Sequence, residues 1–251
     1  MTAFLRAIRD RSFRAVCIDL DGTLLDTIPD LAAAANRMLK DLSLATLPEE
    51  RIRQFVGKGV EVLIQRTLAA AGVAAAPHDE SEGARAAAAS GTAQSDAART
   101  HFFDNYRRLN GSRSALYPGV AAGLRGLRDM GLRLACVTNK PAEFVDPLLR
   151  RFGIEGFFDF VIGGDTLPFK KPHPGQLLEA CRRWALEPAQ VLAVGDSLND
   201  AEAARAAGMP VLLVPYGYNE GHSVHGADVD GIVSSLSELP SLLQGPNARA
   251  T

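Results

Sequence analysis

The chain predicts an α/β fold: a doubly wound, mostly parallel sheet with an inserted α-helical cap. Three observations lead there. Short apolar runs rich in β-branched residues, such as Ala15-Val-Cys-Ile18 and Val191-Leu-Ala-Val-Gly195, read as buried strands. Helical patterns alternate with them over the second half of the chain, and one long helical stretch separates the first run from all the others. With 251 residues and 47% hydrophobic content, the chain can fill one large core without any transmembrane run.

The first strand begins at about Ala15 and ends at Ile18, before Gly22 breaks the extended pattern. The arginines of residues 1–14 resemble a transit peptide, but a strand starting so early leaves almost nothing removable, so this end reads as a surface segment. Pro29 opens a helix through about Lys40, Pro48 opens another, a third runs from Gly59 towards Ala71, and a fourth from Ala97 to Leu109. These make the expected cap, residues 28–114, inserted between core segments 1–27 and 115–251. Residues 74–94 stand apart, being dominated by Ala, Ser, Gly and charged residues. With Pro77, Gly83 and Gly91 interrupting any helix, they predict a mobile insertion or a poorly anchored helix. Pro118 then starts a helix that returns to a strand at Leu132–Val137, and further strands are expected at Phe160–Gly163, Val191–Gly195 and Val211–Val214.

Chemistry gathers where these strands end. Asp19 and Asp21 stand two residues apart just past the first strand, at the edge where open α/β sheets bind ligands. That arrangement suits phosphoryl transfer: Asp19 would attack phosphorus and form an acyl phosphate. Asp21 would protonate the leaving alkoxide and then deprotonate the attacking water. A carboxylate about 4 Å from a phosphate dianion meets repulsion on the order of 8 kcal/mol at an effective dielectric of 20, so such a site needs cations. Asp196 and Asp200 follow the Val191–Gly195 strand and are expected to share a face of the first helical turn after it. With Asp19 they form an oxygen-rich set suited to Mg²⁺. Thr138, with Asn139 beside it, ends the Leu132–Val137 strand and can hydrogen-bond a phosphoryl oxygen; Lys171, in a proline-stiffened loop, can neutralise it.

In these four motifs, taken in order, the chain resembles the haloacid dehalogenase-like phosphatases over nearly all of its length. The resemblance implies that Asp19 is the nucleophile and Asp21 the acid/base, whose backbone carbonyl also meets Mg²⁺. It makes Thr138, Asn139 and Lys171 the phosphate binders and Asp196 the principal metal ligand, with Asp200 supporting it. Gly163-Gly-Asp-Thr166, Lys171-Pro-His-Pro174, Gly195-Asp-Ser-Leu-Asn-Asp200 and Tyr216-Gly-Tyr-Asn219 are most similar to the phosphoglycolate phosphatases. That implies hydrolysis of a small phosphorylated metabolite, 2-phosphoglycolate, to glycolate and phosphate. A sugar phosphomutase would use the same two aspartates, and a non-catalytic binding protein on the same fold would have lost Asp19 or Asp196. Neither is lost. Lys58, in the cap turn Gly57-Lys-Gly59, is the candidate partner for a substrate carboxylate.

Other features exclude more than they assign. A formal charge of −2 offers no footprint for nucleic acid, and nothing in the sequence calls for a membrane. Cys17, Cys136 and Cys181 are odd in number and unpaired in spacing, which suits reduced cytoplasmic thiols. His222, His225, Asp228 and Asp230 could be drawn as a metal cluster but lack a helical frame, and His173 between two prolines reads as structural. Asp165 could orient Lys171 or serve its own turn.

Overall fold

The computed structural model describes residues 8, 11–73 and 82–244, with backbone only over 82–93. Six strands form one sheet: β1 (Ala15–Ile18), β4 (Arg133–Val137), β5 (Phe160–Ile162), β6 (Val191–Gly195), β7 (Val211–Leu213) and β8 (Gly231–Ile232). Their order is β5-β4-β1-β6-β7-β8 and every pairing is parallel. The chain therefore builds outward from β1 to one side, then crosses back and builds outward from β1 to the other. Asp19 and Asp196 follow the two strands that meet at this reversal, where the crevice of a doubly wound sheet opens.

Alternation along each strand divides the core. Val16, Ile18, Leu192 and Val194 pack on one face with Leu124, Leu127, Val145 and Leu148. Those side chains come from helices α5 (Val120–Asp129) and α6 (Ala142–Arg151). Ala15, Cys17, Val191 and Ala193 point to the other face, against Leu177, Trp184 and Ala204. That face is covered by α7 (Gly175–Trp184) and α8 (Leu198–Ala207). A short helix α9 (Leu239–Leu243) closes the described chain.

The inserted cap leaves the core through β2 (Leu25–Asp26) and returns through β3 (Ala115–Leu116), which pair antiparallel. Buried Asp30 ties the two ends together by accepting from the Arg113 N–H, the Ser114 N–H and the Ser114 hydroxyl at 2.9, 3.0 and 2.6 Å. Between them lie α1 (Ile28–Asp41), α2 (Glu49–Arg53), α3 (Val60–Ala70) and α4 (Glu82–Leu109). Pro29 near the start of α1, Asp30 in its first turn and Lys40 in its last follow the usual helix-end preferences. Ala98, Phe102 and Tyr106 recur every fourth residue on α4 and form the stripe that packs with Leu31, Ala35 and Met38 of α1.

Two expectations need adjustment. The fourth cap helix does not begin at Ala97: its backbone is helical from Glu82, through Gly83 and Gly91. Each glycine costs a helix only about 1 kcal/mol, and the alanines around them are the strongest helix formers. Residues 74–81, the rest of the Ala-rich segment, lie outside the described residues. Asp196 and Asp200 also do not share a helical turn, because α8 begins only at Leu198. Ser197 is its N-cap, and Asp200, three residues on, completes a reciprocal capping box with it.

Candidate active site

A cavity of about 50 Å³ lies between the carboxyl ends of the strands and the cap. Core residues Asp19, Asp21, Thr138, Lys140, Lys171 and Asp196 meet cap residues Leu31, Val60, Leu63 and Tyr106 around it. Asp19 follows β1 directly, and its backbone N–H donates to the Val194 carbonyl, which extends the β1–β6 ladder one residue beyond the strand. Asp196 follows β6 and is held from three sides. The Tyr218 N–H donates to its Oδ2 at 2.7 Å, and the Thr23 hydroxyl to its Oδ1 at 3.2 Å. On the third side two glycines crowd it. Gly22 adopts φ +88°, and a Cβ there, or on Gly217, would collide with the Asp196 carboxylate.

Carboxylate oxygens of Asp19, Asp196 and Asp200, all buried, lie within 4.8 Å of one another. Four carboxylates, with Asp21, face the ammonium groups of Lys140 and Lys171 in this cavity. Two negative charges are left over, which one divalent cation would balance. An all-oxygen donor set of this kind suits a hard cation. The crowding shows in the acidities. Burial, aided by Asp200 and Asp21 and opposed by Lys171, pushes the Asp19 carboxyl up to about 6. Asp196 is raised as well, by burial first and then by Asp200 and Asp19.

Lys171 Nζ lies 2.8 Å from Asp19 and 2.6 Å from Asp200, and it also donates to the Val137 carbonyl at 2.9 Å. Burial opposes its charge, yet these two carboxylates hold the ammonium above the ordinary lysine value. Thr138 lines the cavity, with its hydroxyl accepting from the Lys140 N–H at 3.2 Å. Asn139 also lines the cavity, with its side-chain amide engaged by the backbone. Its side-chain oxygen accepts from the Lys171 N–H at 2.8 Å, and its amide nitrogen donates to the Lys171 and Gly57 carbonyls at 2.8 and 3.0 Å. The whole amide is spent bracing the lysine loop and a cap turn against the end of β4. Gln176 adds a second brace, donating to the Thr138 and Gly163 carbonyls at 3.1 and 3.0 Å.

Lys140 is a cavity residue that no sequence motif singled out. Its ammonium is 3.1 and 3.2 Å from the two oxygens of Asp21 and 4.7 Å from the ring centre of Tyr106. The Thr27 hydroxyl donates to Asp21 at 2.7 Å from the other side. The available signal was its position immediately after Thr138-Asn139, at a strand end, where a lysine reaches the same edge as the aspartates.

Lys58 goes elsewhere. It does not line the cavity; its ammonium lies 3.4 Å from Glu220, which also accepts from Arg66 at 2.9 Å. The flanking glycines, at φ +130° and +89°, bring the turn's backbone to the cavity while the side chain between them pairs with the core loop. That loop continues from Tyr218, whose hydroxyl donates to Asp26 at 2.9 Å, through Asn219, which accepts from the first N–H of α8 at 2.9 Å.

Remaining candidates are structural. Asp165 accepts from the Ala142 N–H at the start of α6, at 2.8 Å. His173 accepts from the Gly175 N–H at 3.0 Å and stacks on Phe169. Asp228 and Asp230 pair with Arg205 at 3.3 and 2.7 Å, and the aspartate trio is the only potential metal group among the described residues.

Comparison with known proteins agrees with this geometry. Residues 13–208 match the family model of the haloacid dehalogenase-like hydrolases. The chain is 48% identical over 234 residues to a phosphoglycolate phosphatase of Nitrosospira multiformis, covering 92% of this chain and 96% of that protein. It is 43% identical over 225 residues to a phosphoglycolate phosphatase of Thiobacillus denitrificans, covering 90% and 93%. Among solved structures, a predicted phosphoglycolate phosphatase from Haemophilus somnus superposes with a TM-score of 0.82 at 35% identity, covering 92% of this chain and 97% of that one.

Proposed function

Because the chain belongs to the haloacid dehalogenase-like hydrolases and is 48% and 43% identical to two phosphoglycolate phosphatases, we propose that it is an Mg²⁺-dependent 2-phosphoglycolate phosphatase. It acts on a small phosphorylated metabolite. One observation carries the substrate: two lysines in one small cavity, Lys171 beside the nucleophile and Lys140 beyond it, supply a cation for each anionic group of a compact phosphorylated acid.

In this reading Asp19 attacks phosphorus, with Lys171 and the Thr138 hydroxyl compensating the phosphoryl oxygens as charge shifts onto the leaving group. Lys171 is held for this by Asp200 and by the Asn139 brace on its backbone. Asp21 gives its proton to the departing glycolate oxygen, then takes one from the water that attacks the acyl phosphate on Asp19. Thr27 and Lys140 orient its carboxylate. Asp19, Asp196 and Asp200 would hold Mg²⁺, with the Asp21 backbone carbonyl beside them; when bound, the ion polarises the phosphoryl oxygens and offsets their repulsion from Asp19. Residues 28–114 act as the cap that excludes bulk water and selects the leaving group. We place the enzyme in the cytoplasm, on its three buried free thiols. Among the described residues, no helix is long and apolar enough to cross a membrane.

The test is a panel of phosphorylated metabolites, including sugar phosphates, compared by kcat/KM with Mg²⁺ and with EDTA. The highest value is expected for 2-phosphoglycolate, with activity lost in EDTA. A higher value for a sugar phosphate, or turnover of a sugar monophosphate into its isomer, would overturn the substrate assignment.

A further inference from the structure

We propose that Lys140 and Tyr106 together form the subsite for the substrate's carboxylate, the group left on the alcohol side of the ester when phosphate is transferred. The proposal rests on the reading of 2-phosphoglycolate as substrate and deepens it. Among the described residues, Lys140 and Lys171 supply the ammonium groups of the cavity lining, and Lys171 is committed to Asp19 and Asp200. Lys58 and Arg66, the basic residues of the adjacent cap, are occupied by Glu220 outside the lining. Lys140 is paired with one carboxylate, Asp21, at 3.1 and 3.2 Å, where Lys171 is paired with two, so its ammonium keeps an N–H for a second anion. Its side chain is 2% exposed, so a contact made there would be shielded from water and salt.

Tyr106 supplies the independent observation. It projects from α4 of the cap, is 1% exposed, lines the cavity, and its hydroxyl has no hydrogen-bond partner among the described residues. Buried hydroxyls are nearly always paired, so one left unpaired against a cavity marks a place for a ligand acceptor. The Lys140 ammonium sits over the same ring, which puts a charged donor and a neutral donor on one side of the cavity. A carboxylate has two oxygens to receive them. Phe144, Leu63 and Val60 line the cavity with apolar side chains, so Lys140 and Tyr106 are the donors beside the Asp21 carboxylate. The core contributes the cation and the cap the hydroxyl, so a bound carboxylate would bridge both.

The experiment compares kcat/KM for 2-phosphoglycolate with that for ethyl phosphate, which replaces the carboxylate by a methyl group. Wild type, Lys140→Met and Tyr106→Phe are measured with Mg²⁺. The ratio of the two constants is read because Lys140 also touches Asp21, and a loss through Asp21 falls on both substrates and cancels. Lys140→Met is expected to lower the ratio by about tenfold or more, as for loss of a charge-assisted hydrogen bond, and Tyr106→Phe by about threefold. If wild type shows no preference for 2-phosphoglycolate, the substrate reading fails and the subsite with it. If wild type shows the preference and Tyr106→Phe keeps it in full, the subsite alone is overturned. Should Lys140→Met not fold, Tyr106→Phe decides by itself, since it retains the ring that packs in the cap.

Discussion

Asp200 lies 2.6 Å from the ammonium of Lys171, which makes this aspartate more than a metal ligand in waiting. The same side chain closes the capping box of α8 with Ser197 and stands within reach of Asp19 and Asp196. Asp200→Asn should therefore do two things at once. It should raise the Mg²⁺ concentration for half-maximal activity, and it should weaken phosphate binding by freeing Lys171, seen as a higher KM at saturating Mg²⁺. A variant with normal Mg²⁺ dependence and normal KM would reduce Asp200 to its cap. Asp196→Ala, by contrast, should lower activity at every Mg²⁺ concentration, because its carboxylate is gripped by Tyr218 and Thr23 and, among the described residues, pairs with no ammonium group.

Asp19→Asn should remove turnover, by about 10³-fold or more, since an amide cannot form the acyl phosphate. Asp21→Asn should cost about 10²–10⁴-fold, the usual worth of general acid–base help. Single-turnover assays separate the two. Phosphate transfer to the protein is absent in the first and slow in the second, and robust activity in either purified variant would displace the assignment.

Stability should carry the signature of the crowded carboxylates. Asp19 is raised to about 6 from an ordinary value of 3.8, so between these values the native protein binds a proton that the unfolded chain has lost. Its contribution to stability is complete below about pH 4 and disappears as the pH rises to about 6. Asp196 moves in the same direction. In EDTA, Tm should thus fall across this window relative to Asp19→Asn, in which that component is missing. Mg²⁺ should raise Tm more at pH 7.5 than at pH 5. Equal gains at both values would mean the ion does not relieve this repulsion.

Lys58→Ala should leave the preference for 2-phosphoglycolate over an uncharged aryl phosphate unchanged. Its partner is Glu220, and both side chains are partly exposed, so the pair is worth less than about 1 kcal/mol. A selective loss on 2-phosphoglycolate, measured as the ratio of kcat/KM values, would return Lys58 to the cavity.

Much of this was legible in the residues themselves. Strands at Ala15–Ile18 and Val191–Gly195, the aspartates just past them, and the helical stretch that separates Ala15–Ile18 from the later core strands depend on local apolar pattern and turn chemistry, which a linear sequence carries. What it does not carry is direction in space. Thr138 and Asn139 are neighbours at one strand end and both line the cavity, yet the Asn139 amide is spent on three backbone groups from two distant loops. Lys58 lies between two glycines that reach the cavity, and itself does not, because the ion pair with Glu220 draws its ammonium to the core loop 162 positions away. Lys140 and Tyr106 acquire meaning only as a pair. One ends a core strand and the other sits on a cap helix, and folding alone sets an ammonium over that ring. Residue type and period determined the fold class and the aspartates at the strand ends. Which basic and aromatic groups face those acids was decided by long-range packing, since a side chain's partner depends on what the rest of the chain places beside it.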